Sequence, residues 1–256
     1  MSMLTEQTIE KLTNLGLFEM ARAISEQVKN PRVVALDFDE RLGLMVDLEW
    51  MARQQRRLDK RLKSAQLKQR ACLEELDFQH PRGLDRKVMV HLASCAWIRN
   101  HQNVIITGAT GLGKSWVACA LADNACRNGF TAIYKQVQRL TFELALARAD
   151  GTYLKVLSQL CKADVLVLDD WGLFRLEGQA QNDIFDVIDD RHGKSTVVTS
   201  QIPVSKWHST VGDPTVADAL LDRIIHSATE IKFRNSPTMR PPKGADAATK
   251  KAKVDQ

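Results

Sequence analysis

Residues 108–115 constrain this chain more than any other segment, because they fit the pattern G-x-x-x-x-G-K-[ST]. They lie between an apolar run, 103–107, that predicts a buried strand, and a predicted helix over 115–127. Glycines let such a loop curl so that its N–H groups point at a β-phosphate, at the positive end of the following helix. Lys114 adds a cation for the β- and γ-phosphate oxygens, and the Ser115 hydroxyl is a ligand for Mg²⁺. The residues predicted to contact a nucleotide are Gly108, Ala109, Thr110, Gly111, Leu112, Gly113, Lys114 and Ser115.

A second apolar run, 165–168, ends in two carboxylates, Asp169 and Asp170. It predicts a buried strand of a parallel sheet, whose carboxyl end lies at the same edge as the phosphate loop. There Asp169 would complete the Mg²⁺ shell with Ser115, and Asp170 would orient and polarise an attacking water. Two acids after a strand are also common in turns, but their position downstream of a phosphate loop favours nucleotide chemistry. Together the two segments predict ATP and Mg²⁺ as cofactors.

Polar residues later in the chain are candidates for sensing the γ-phosphate or stabilising transition-state charge. Gln201 follows a predicted strand, where a turn before the next proline is the alternative explanation. Arginine suits the charge that develops on a transferred phosphoryl group. Arg223 and Arg240 are therefore candidates, and Arg191 is a weaker one. For each arginine a surface salt bridge is the alternative.

Strands and helices alternate in the second part of the chain, whereas the first part predicts helices only. Apolar strands without hydrophobic–polar alternation, joined by helices, indicate an α/β class with a parallel sheet covered on both faces. Residues 80–83, His-Pro-Arg-Gly, mark the break between the two regions. We expect a small all-helical domain over 1–78, an α/β domain over 79–236 and a flexible basic tail over 237–256. The tail either aids solubility or contacts nucleic acid.

The helical region carries a one-sided charge pattern within a predicted long helix or helix pair over 39–76. An apolar side, expected to pack, consists of Leu44, Leu48, Met51, Leu58 and Leu62. The opposite side carries Arg53, Arg56, Arg57, Lys60, Arg61 and Lys63. A solvated helix face is the alternative, but such faces usually mix both signs of charge. We expect these six side chains to bind the phosphate backbone of a nucleic acid with little base specificity.

Composition excludes several classes of protein. The 256 residues carry a net charge of +5, and 44% hydrophobic with 26% charged residues is a globular balance. No apolar run reaches the 18 or so residues that a membrane span needs, and the first residues lack the pattern of a secretory signal. The five cysteines are scattered, so buried reduced thiols are expected. We expect a soluble cytoplasmic protein with no membrane partner.

Together with the phosphate loop, three short segments resemble the AAA+ ATPases of the helicase-loader branch: 168–170, 199–203 and 221–224. The helical region makes the resemblance to one family within this branch more specific. Further segments are similar to the IstB family, the transposition helper ATPases of bacterial insertion sequences: 16–22, 48–57 and 81–85. The resemblance extends over about residues 5–240.

This resemblance implies a P-loop NTPase core of the AAA+ type, in an ATPase that forms a homo-oligomer on duplex DNA and recruits or activates a transposase. It also implies a location at the nucleoid of a bacterial cytoplasm. A replicative helicase loader of the DnaC type is the alternative with the same fold. A small-molecule kinase and a DNA-binding protein that holds ATP without hydrolysing it are more distant alternatives.

The resemblance further implies roles for individual residues. Gln201 matches the first sensor, Arg223 matches the finger directed at a neighbouring subunit, and Arg240 matches the second sensor. Many AAA+ proteins have Glu where Asp170 stands, one methylene longer, so slow hydrolysis is expected. The implied catalytic set is Lys114, Asp169, Asp170, Gln201 and Arg223.

Overall fold

The computed structural model describes residues 3–239. Their contacts divide the chain into two units, with the division between Lys60 and Arg61. The first unit holds helices, and the second holds a parallel sheet with its covering helices.

Four helices account for most of the first unit, the last of them continuing past its end: α1 (Met3–Asn14), α2 (Phe18–Gln27), α3 (Pro31–Val34) and α4 (Phe38–Ala65). Gly16 has a φ of +72° and lies between α1 and α2, where the Leu17 N–H donates back to the Leu12 carbonyl. Such a left-handed glycine is a common way to end a helix. Pro31 occupies the first turn of α3, where its missing N–H costs no hydrogen bond.

The apolar side of α4 does not pack as expected. Leu44, Leu48 and Met51 are 47%, 44% and 53% exposed. The side that faces inward instead includes Met45 and Glu49, both buried, and the Glu49 carboxylate accepts the Glu19 N–H of α2 at 2.8 Å. The prediction of a packed stripe was wrong for these three residues because α2 covers a different side of α4, whereas Leu58 and Leu62 are half-buried.

Residues 61–78 lie with the second unit rather than with the first. Arg61 donates to the Cys126 carbonyl at 2.8 Å, and Ala65 and Ala71 are buried. The helix ends at Ala65 instead of continuing to residue 76, and only a 3₁₀ turn, Leu73–Glu75, follows it. The contacts therefore divide the chain earlier than the expected boundary at residues 78 and 79.

Within residues 3–239 the sheet has five parallel strands, in the spatial order β2-β3-β4-β1-β5. Their bounds are β1 (Asn103–Thr107), β2 (Ala132–Gln136), β3 (Val165–Trp171), β4 (Ser195–Ser200) and β5 (Ala228–Lys232). Every residue of β1 and β4 is buried, as a parallel sheet covered on both faces requires. The predicted α/β class is confirmed. β3 extends beyond its predicted carboxyl end at residue 168, so both carboxylates, Asp169 and Asp170, belong to β3.

In the part of the second unit that the structure describes, seven helices follow α4: α5 (Arg86–Ala93), α6 (Ala96–Arg99), α7 (Lys114–Arg127), α8 (Val137–Ala149), α9 (Tyr153–Lys162), α10 (Gln179–Asp189) and α11 (Pro214–Ile225). The helix α7 packs on β2, β3 and β4. The helices α8 to α11 share one apolar core with Leu166, Leu168 and Val198 on the other face of the sheet. The helices α5 and α6 are separate because Cys95, between them, takes a φ of +57°.

Two expectations from composition concern the state of the cysteines and the ability of the helices to span a membrane. All five cysteines are free thiols, and Cys95, Cys119 and Cys126 are buried. Burial is the main cause that raises the pKa of the Cys126 thiol to about 11. Among the helices of residues 3–239, none has the length and apolarity to cross a membrane.

Candidate nucleotide site

A cleft of about 710 Å³ lies at the carboxyl edge of the sheet and is lined by the phosphate loop. Its volume is within the usual range for a bound small molecule. Asp170 and Gln201 line it from the ends of β3 and β4, as the sequence predicts. Lys68, Arg82 and Met239 also line it; these three were not predicted.

The glycines of the phosphate loop are required by both conformation and space. Gly113 precedes the first residue of α7 and has a φ of +83°. A Cβ at Gly113 would lie 2.7 Å from an Arg82 guanidinium nitrogen, and one at Gly108 would lie 2.7 Å from the Phe233 Cβ. The loop is therefore enclosed by neighbouring segments that leave no room for side chains at these two positions.

Lys114 and Ser115 stand where the first turn of α7 meets the loop. The Lys114 side chain is buried and its ammonium donates to the Ala109 carbonyl at 2.9 Å, so it curls over the loop. The Ser115 hydroxyl donates to Asp169 Oδ1 at 2.7 Å. A serine hydroxyl beside a carboxylate is the hard oxygen donor set that suits Mg²⁺, which takes its other ligands from phosphates and water. The residues present fit the predicted metal.

Asp169 is fully buried and accepts four hydrogen bonds or ion pairs. The donors are the hydroxyls of Ser115, Thr199 and Tyr134 and the ammonium of Lys68. Burial alone would raise the pKa of Asp169, but these contacts outweigh it and hold the pKa below its ordinary value. Asp169 is thus an anion at neutral pH and is ready to accept a cation.

Asp170 is held in an unusual backbone conformation. It has a φ of +63°, and the pairing of β3 with β4 shifts register between Leu168 and Trp171. Its N–H donates to the Thr199 hydroxyl at 3.1 Å, and its Oδ2 accepts the Gln136 amide at 2.9 Å. Because of this bulge, the two consecutive carboxylates have different surroundings: Asp169 is enclosed, whereas Asp170 lines the cleft.

The arginine candidates lie in three different places. Arg223 is outside the lining of the cleft and donates to Asp189 Oδ1 at 2.7 Å, with its guanidinium 5.1 Å from the Phe185 ring centroid. Arg191 is buried and donates to three backbone carbonyls, which makes it a structural residue; its candidacy for catalysis was wrong. Arg240 lies outside the described residues.

Arg82 is a further residue of the site that sequence reasoning did not identify. It is 2% exposed and donates to the Leu112 carbonyl at 2.8 Å, and its guanidinium lies 5.1 Å from the Phe233 ring centroid. Burial lowers the pKa of Arg82. The only sequence signal is its place in the segment 81–85, which contributed to the family resemblance but carried no chemical pattern.

The residues after β5 cross the phosphate loop. The Met239 N–H donates to the Gly111 carbonyl at 2.9 Å, and the Arg234 N–H donates to the Arg82 carbonyl at 2.7 Å. Residues 237–239 therefore contact the site, although the sequence predicts a flexible tail from residue 237. The remainder of that tail lies outside the described residues.

The six basic residues proposed for DNA contact divide into two groups. Arg53 and Arg56 pair with the buried Glu49 carboxylate at 2.9 and 3.0 Å, and Arg61 bonds to a backbone carbonyl. The second group is Arg57, Lys60 and Lys63, which are exposed, as are Arg53 and Arg56 of the first group. The first three residues thus have a role in the fold, which their sequence pattern alone does not reveal.

Comparison with known proteins decides the family. The family model of IstB-like ATP binding proteins matches residues 10–243. The chain belongs to this family. It is 45% identical over 239 residues to an insertion-sequence ATP-binding protein, y4pL, of Sinorhizobium fredii, covering 93% of this chain and 98% of that protein. It is 48% identical over 205 residues to the ATP-binding protein of insertion sequence IS1162 from Pseudomonas fluorescens, covering 79% of this chain and 89% of that protein.

The fold has solved relatives among AAA+ proteins. The crystal structure of the DnaC helicase loader matches with a TM-score of 0.54 and 19% identity, covering 64% of this chain and 97% of that one. This likeness confirms the P-loop AAA+ fold expected for the second unit. The IstB-like family and the AAA+ fold thus agree with the sequence resemblance.

Proposed function

We propose that this IstB-like protein is a Mg²⁺-dependent ATPase that assembles on duplex DNA as a homo-oligomer and helps a transposase to act. The observation that carries the proposal is the contact between the Ser115 hydroxyl and Asp169 Oδ1 at 2.7 Å, beside a loop over which Lys114 is folded. These are the groups that a Mg²⁺–triphosphate complex needs from a P-loop protein. Bound there, Mg²⁺ would neutralise charge on the β- and γ-phosphate oxygens.

Hydrolysis requires a group that orients water, and Asp170 is suited to it. Its carboxylate lines the cleft and is held by Gln136 at 2.9 Å. Lys114 would bind the β- and γ-phosphates, and Gln201 would contact the γ-phosphate or the attacking water from the end of β4. The Asp170 side chain is shorter than the Glu of many AAA+ proteins, which is consistent with slow turnover.

The position of Arg223 supports the proposed oligomer. Because Arg223 is outside the cleft of its own chain, it can serve catalysis only in the site of a neighbouring copy. There it would exchange its partner Asp189 for a phosphate oxygen. Arg240 as a second sensor stays a prediction from the sequence.

DNA binding is proposed for the basic side of α4. Arg57, Lys60 and Lys63 are exposed there. Arg53 and Arg56, which are exposed as well, and the half-buried Arg61 can contribute charge beside their own intramolecular contacts. Binding of this kind is sequence-independent and falls with salt. The relatives named as insertion-sequence proteins favour a transposase as the partner, at the nucleoid of a bacterial cytoplasm.

One experiment tests the nucleotide and DNA parts of the proposal together. Duplex DNA binding is measured with and without ATP for the wild type and for Lys114→Ala, which removes the cation expected to hold the phosphates. We expect ATP to strengthen DNA binding of the wild type at least tenfold and to leave the variant unchanged. Equal stimulation of both proteins would refute the proposal.

Hydrolysis is tested with Asp170→Asn, which keeps the size of the side chain and is tolerated at positive φ. We expect nucleotide affinity to be retained and turnover to fall at least 100-fold, as for loss of a water-orienting group. Retained turnover would assign hydrolysis to another residue.

Stable capture of a hexameric replicative helicase in a pull-down would support the helicase-loader alternative instead.

A further inference from the structure

Lys68 reaches a carboxylate that the remainder of the site encloses. Its ammonium lies 3.2 Å from Asp169 Oδ2, and its side chain is 48% exposed while that of Asp169 is fully buried. Lys68 itself lines the cleft. An exposed lysine is therefore positioned to neutralise a buried acid beside the cleft.

The position of Lys68 conflicts with a bound metal ion. Ser115 contacts Oδ1 of Asp169 and Lys68 contacts Oδ2 of the same carboxylate. A Mg²⁺ ion held by Ser115 and Asp169 would lie about 2.1 Å from its oxygen ligands. An ammonium on the same carboxylate would then be within a few ångströms of a divalent cation, where the two repel each other strongly. The two cations are therefore alternatives.

The neighbouring charges point the same way. Asp169 accepts three hydroxyl donors as well as Lys68, so it stays an anion and needs a counter-ion whether or not a nucleotide is bound. Among the described residues, the only side-chain cation within 4 Å of its carboxylate oxygens is the Lys68 ammonium. A lysine has a flexible stem, so its ammonium is able to leave the carboxylate without a change in the backbone.

We propose that Lys68 is an internal counter-ion of the nucleotide site, which neutralises Asp169 in the nucleotide-free protein and gives up that position when a Mg²⁺–nucleotide complex binds. The inference rests on the proposed nucleotide binding. Lys68 then competes with Mg²⁺ for Asp169, because the ammonium must leave this carboxylate before the metal is bound. A lysine that served as a phosphate ligand would have the opposite effect on affinity.

Removal of the lysine charge should make the metal easier to bind. In Lys68→Met the carboxylate of Asp169 has no competing ammonium, so the Mg²⁺ concentration for half-maximal enhancement of nucleotide binding should fall about tenfold, the effect expected for one charged hydrogen bond. At saturating Mg²⁺ the nucleotide affinity should change by less than threefold. Without Mg²⁺, in EDTA, the affinity should be equal to or lower than that of the wild type.

The measurement is a titration of the full chain with a fluorescent ATP analogue at a series of Mg²⁺ concentrations. Lys68→Gln serves as a second neutral variant in case the methionine protein does not fold, and thermal unfolding checks both. Lys68→Arg keeps the positive charge and should stay within threefold of the wild type. Lys155→Met is the matched control, since Lys155 is exposed on α9 away from the cleft.

Each outcome of the titration decides the inference. The inference is supported if the half-saturating Mg²⁺ concentration falls threefold or more in Lys68→Met or Lys68→Gln. This fall should be absent in Lys68→Arg and Lys155→Met. A smaller fall in the half-saturating Mg²⁺ concentration overturns the inference. A tenfold loss of nucleotide affinity at saturating Mg²⁺ also overturns it and would indicate that Lys68 is a phosphate ligand. If the wild type itself binds no nucleotide, the proposed function fails; if it binds with a Mg²⁺ dependence that Lys68 does not alter, only this inference fails.

Discussion

Replacement of Thr199 by valine tests how the two carboxylates of the site are held. The Thr199 hydroxyl is buried, donates to Asp169 Oδ1 at 2.5 Å and accepts the Asp170 N–H at 3.1 Å. Valine has nearly the same shape but makes neither hydrogen bond. The variant therefore removes a single oxygen that supports both acids.

The magnitude follows from those two contacts. A hydrogen bond to a charged group contributes about 1.5–3 kcal/mol, and leaving the Asp170 N–H without a partner costs about 1–3 kcal/mol. Because both effects depend on one hydroxyl, they do not add fully, and we expect a loss of about 3 kcal/mol in the free energy of unfolding. For a chain of this size, that corresponds to a fall in Tm of roughly 6–12 °C.

The loss should also depend on pH. Burial alone would raise the pKa of Asp169, but the hydrogen bonds led by that of Thr199 hold it below the ordinary value of 3.8. A carboxyl whose pKa is lowered in the folded state stabilises the fold above its ordinary pKa, and this stability is lost as the pH falls through the folded value. The difference between the wild type and Thr199→Val should be full at neutral pH and should shrink below about pH 4.

Calorimetric or urea unfolding at pH 7 and at pH 3.5 measures the effect. Thr196→Val is the matched control, because Thr196 is buried on the same strand and, within residues 3–239, no hydrogen bond of its hydroxyl is found. We expect the control to lose less than about 1 kcal/mol. If Thr199→Val and its control agree within 1 kcal/mol at neutral pH, the account of Asp169 and Asp170 is wrong.

Three further variants test separate parts of the molecule. Gly113→Ala places a methyl group against Arg82 at positive φ. It should lower the free energy of unfolding by about 2 kcal/mol or more, measured by thermal unfolding. It should also abolish nucleotide binding, measured by titration. Gln136→Ala releases Asp170 Oδ2 and should lower turnover about tenfold while nucleotide affinity stays within threefold, measured by steady-state hydrolysis and titration. Arg57→Glu with Lys60→Glu should lower the log–log salt slope of DNA binding by about two units, measured by fluorescence anisotropy.

Each of these has its own counter-result. A Gly113→Ala protein that binds nucleotide normally would show that the loop has more space than the structure gives it. Unchanged turnover in Gln136→Ala would remove its role in holding Asp170. For DNA binding the control is Lys155→Glu with Lys162→Glu on α9, and an equal change of slope in that protein would mean that only net charge matters. Arg56 is left intact because its contact with Glu49 supports the fold.

The sequence alone determined the local elements around the phosphate loop. The strand β1 and the residues 115–127 of helix α7 were predicted almost to the residue, because an apolar run, a glycine pattern and a helix stop are all encoded in consecutive positions. Lys114, Ser115 and Asp169 followed from the same reasoning, since their places at a loop, a helix start and a strand end depend on short stretches of chain.

Only the tertiary structure decided which residues meet from distant parts of the chain. The contacts of Lys68 with Asp169, of Gln136 with Asp170 and of Arg82 with the loop join segments that no periodicity relates. The exposed stripe of α4 has the same origin, because a helical pattern tells which side chains share a face but not which face a neighbouring helix covers. Spacing along the chain reports local geometry, whereas partners across the fold depend on how the strands and helices are ordered in space.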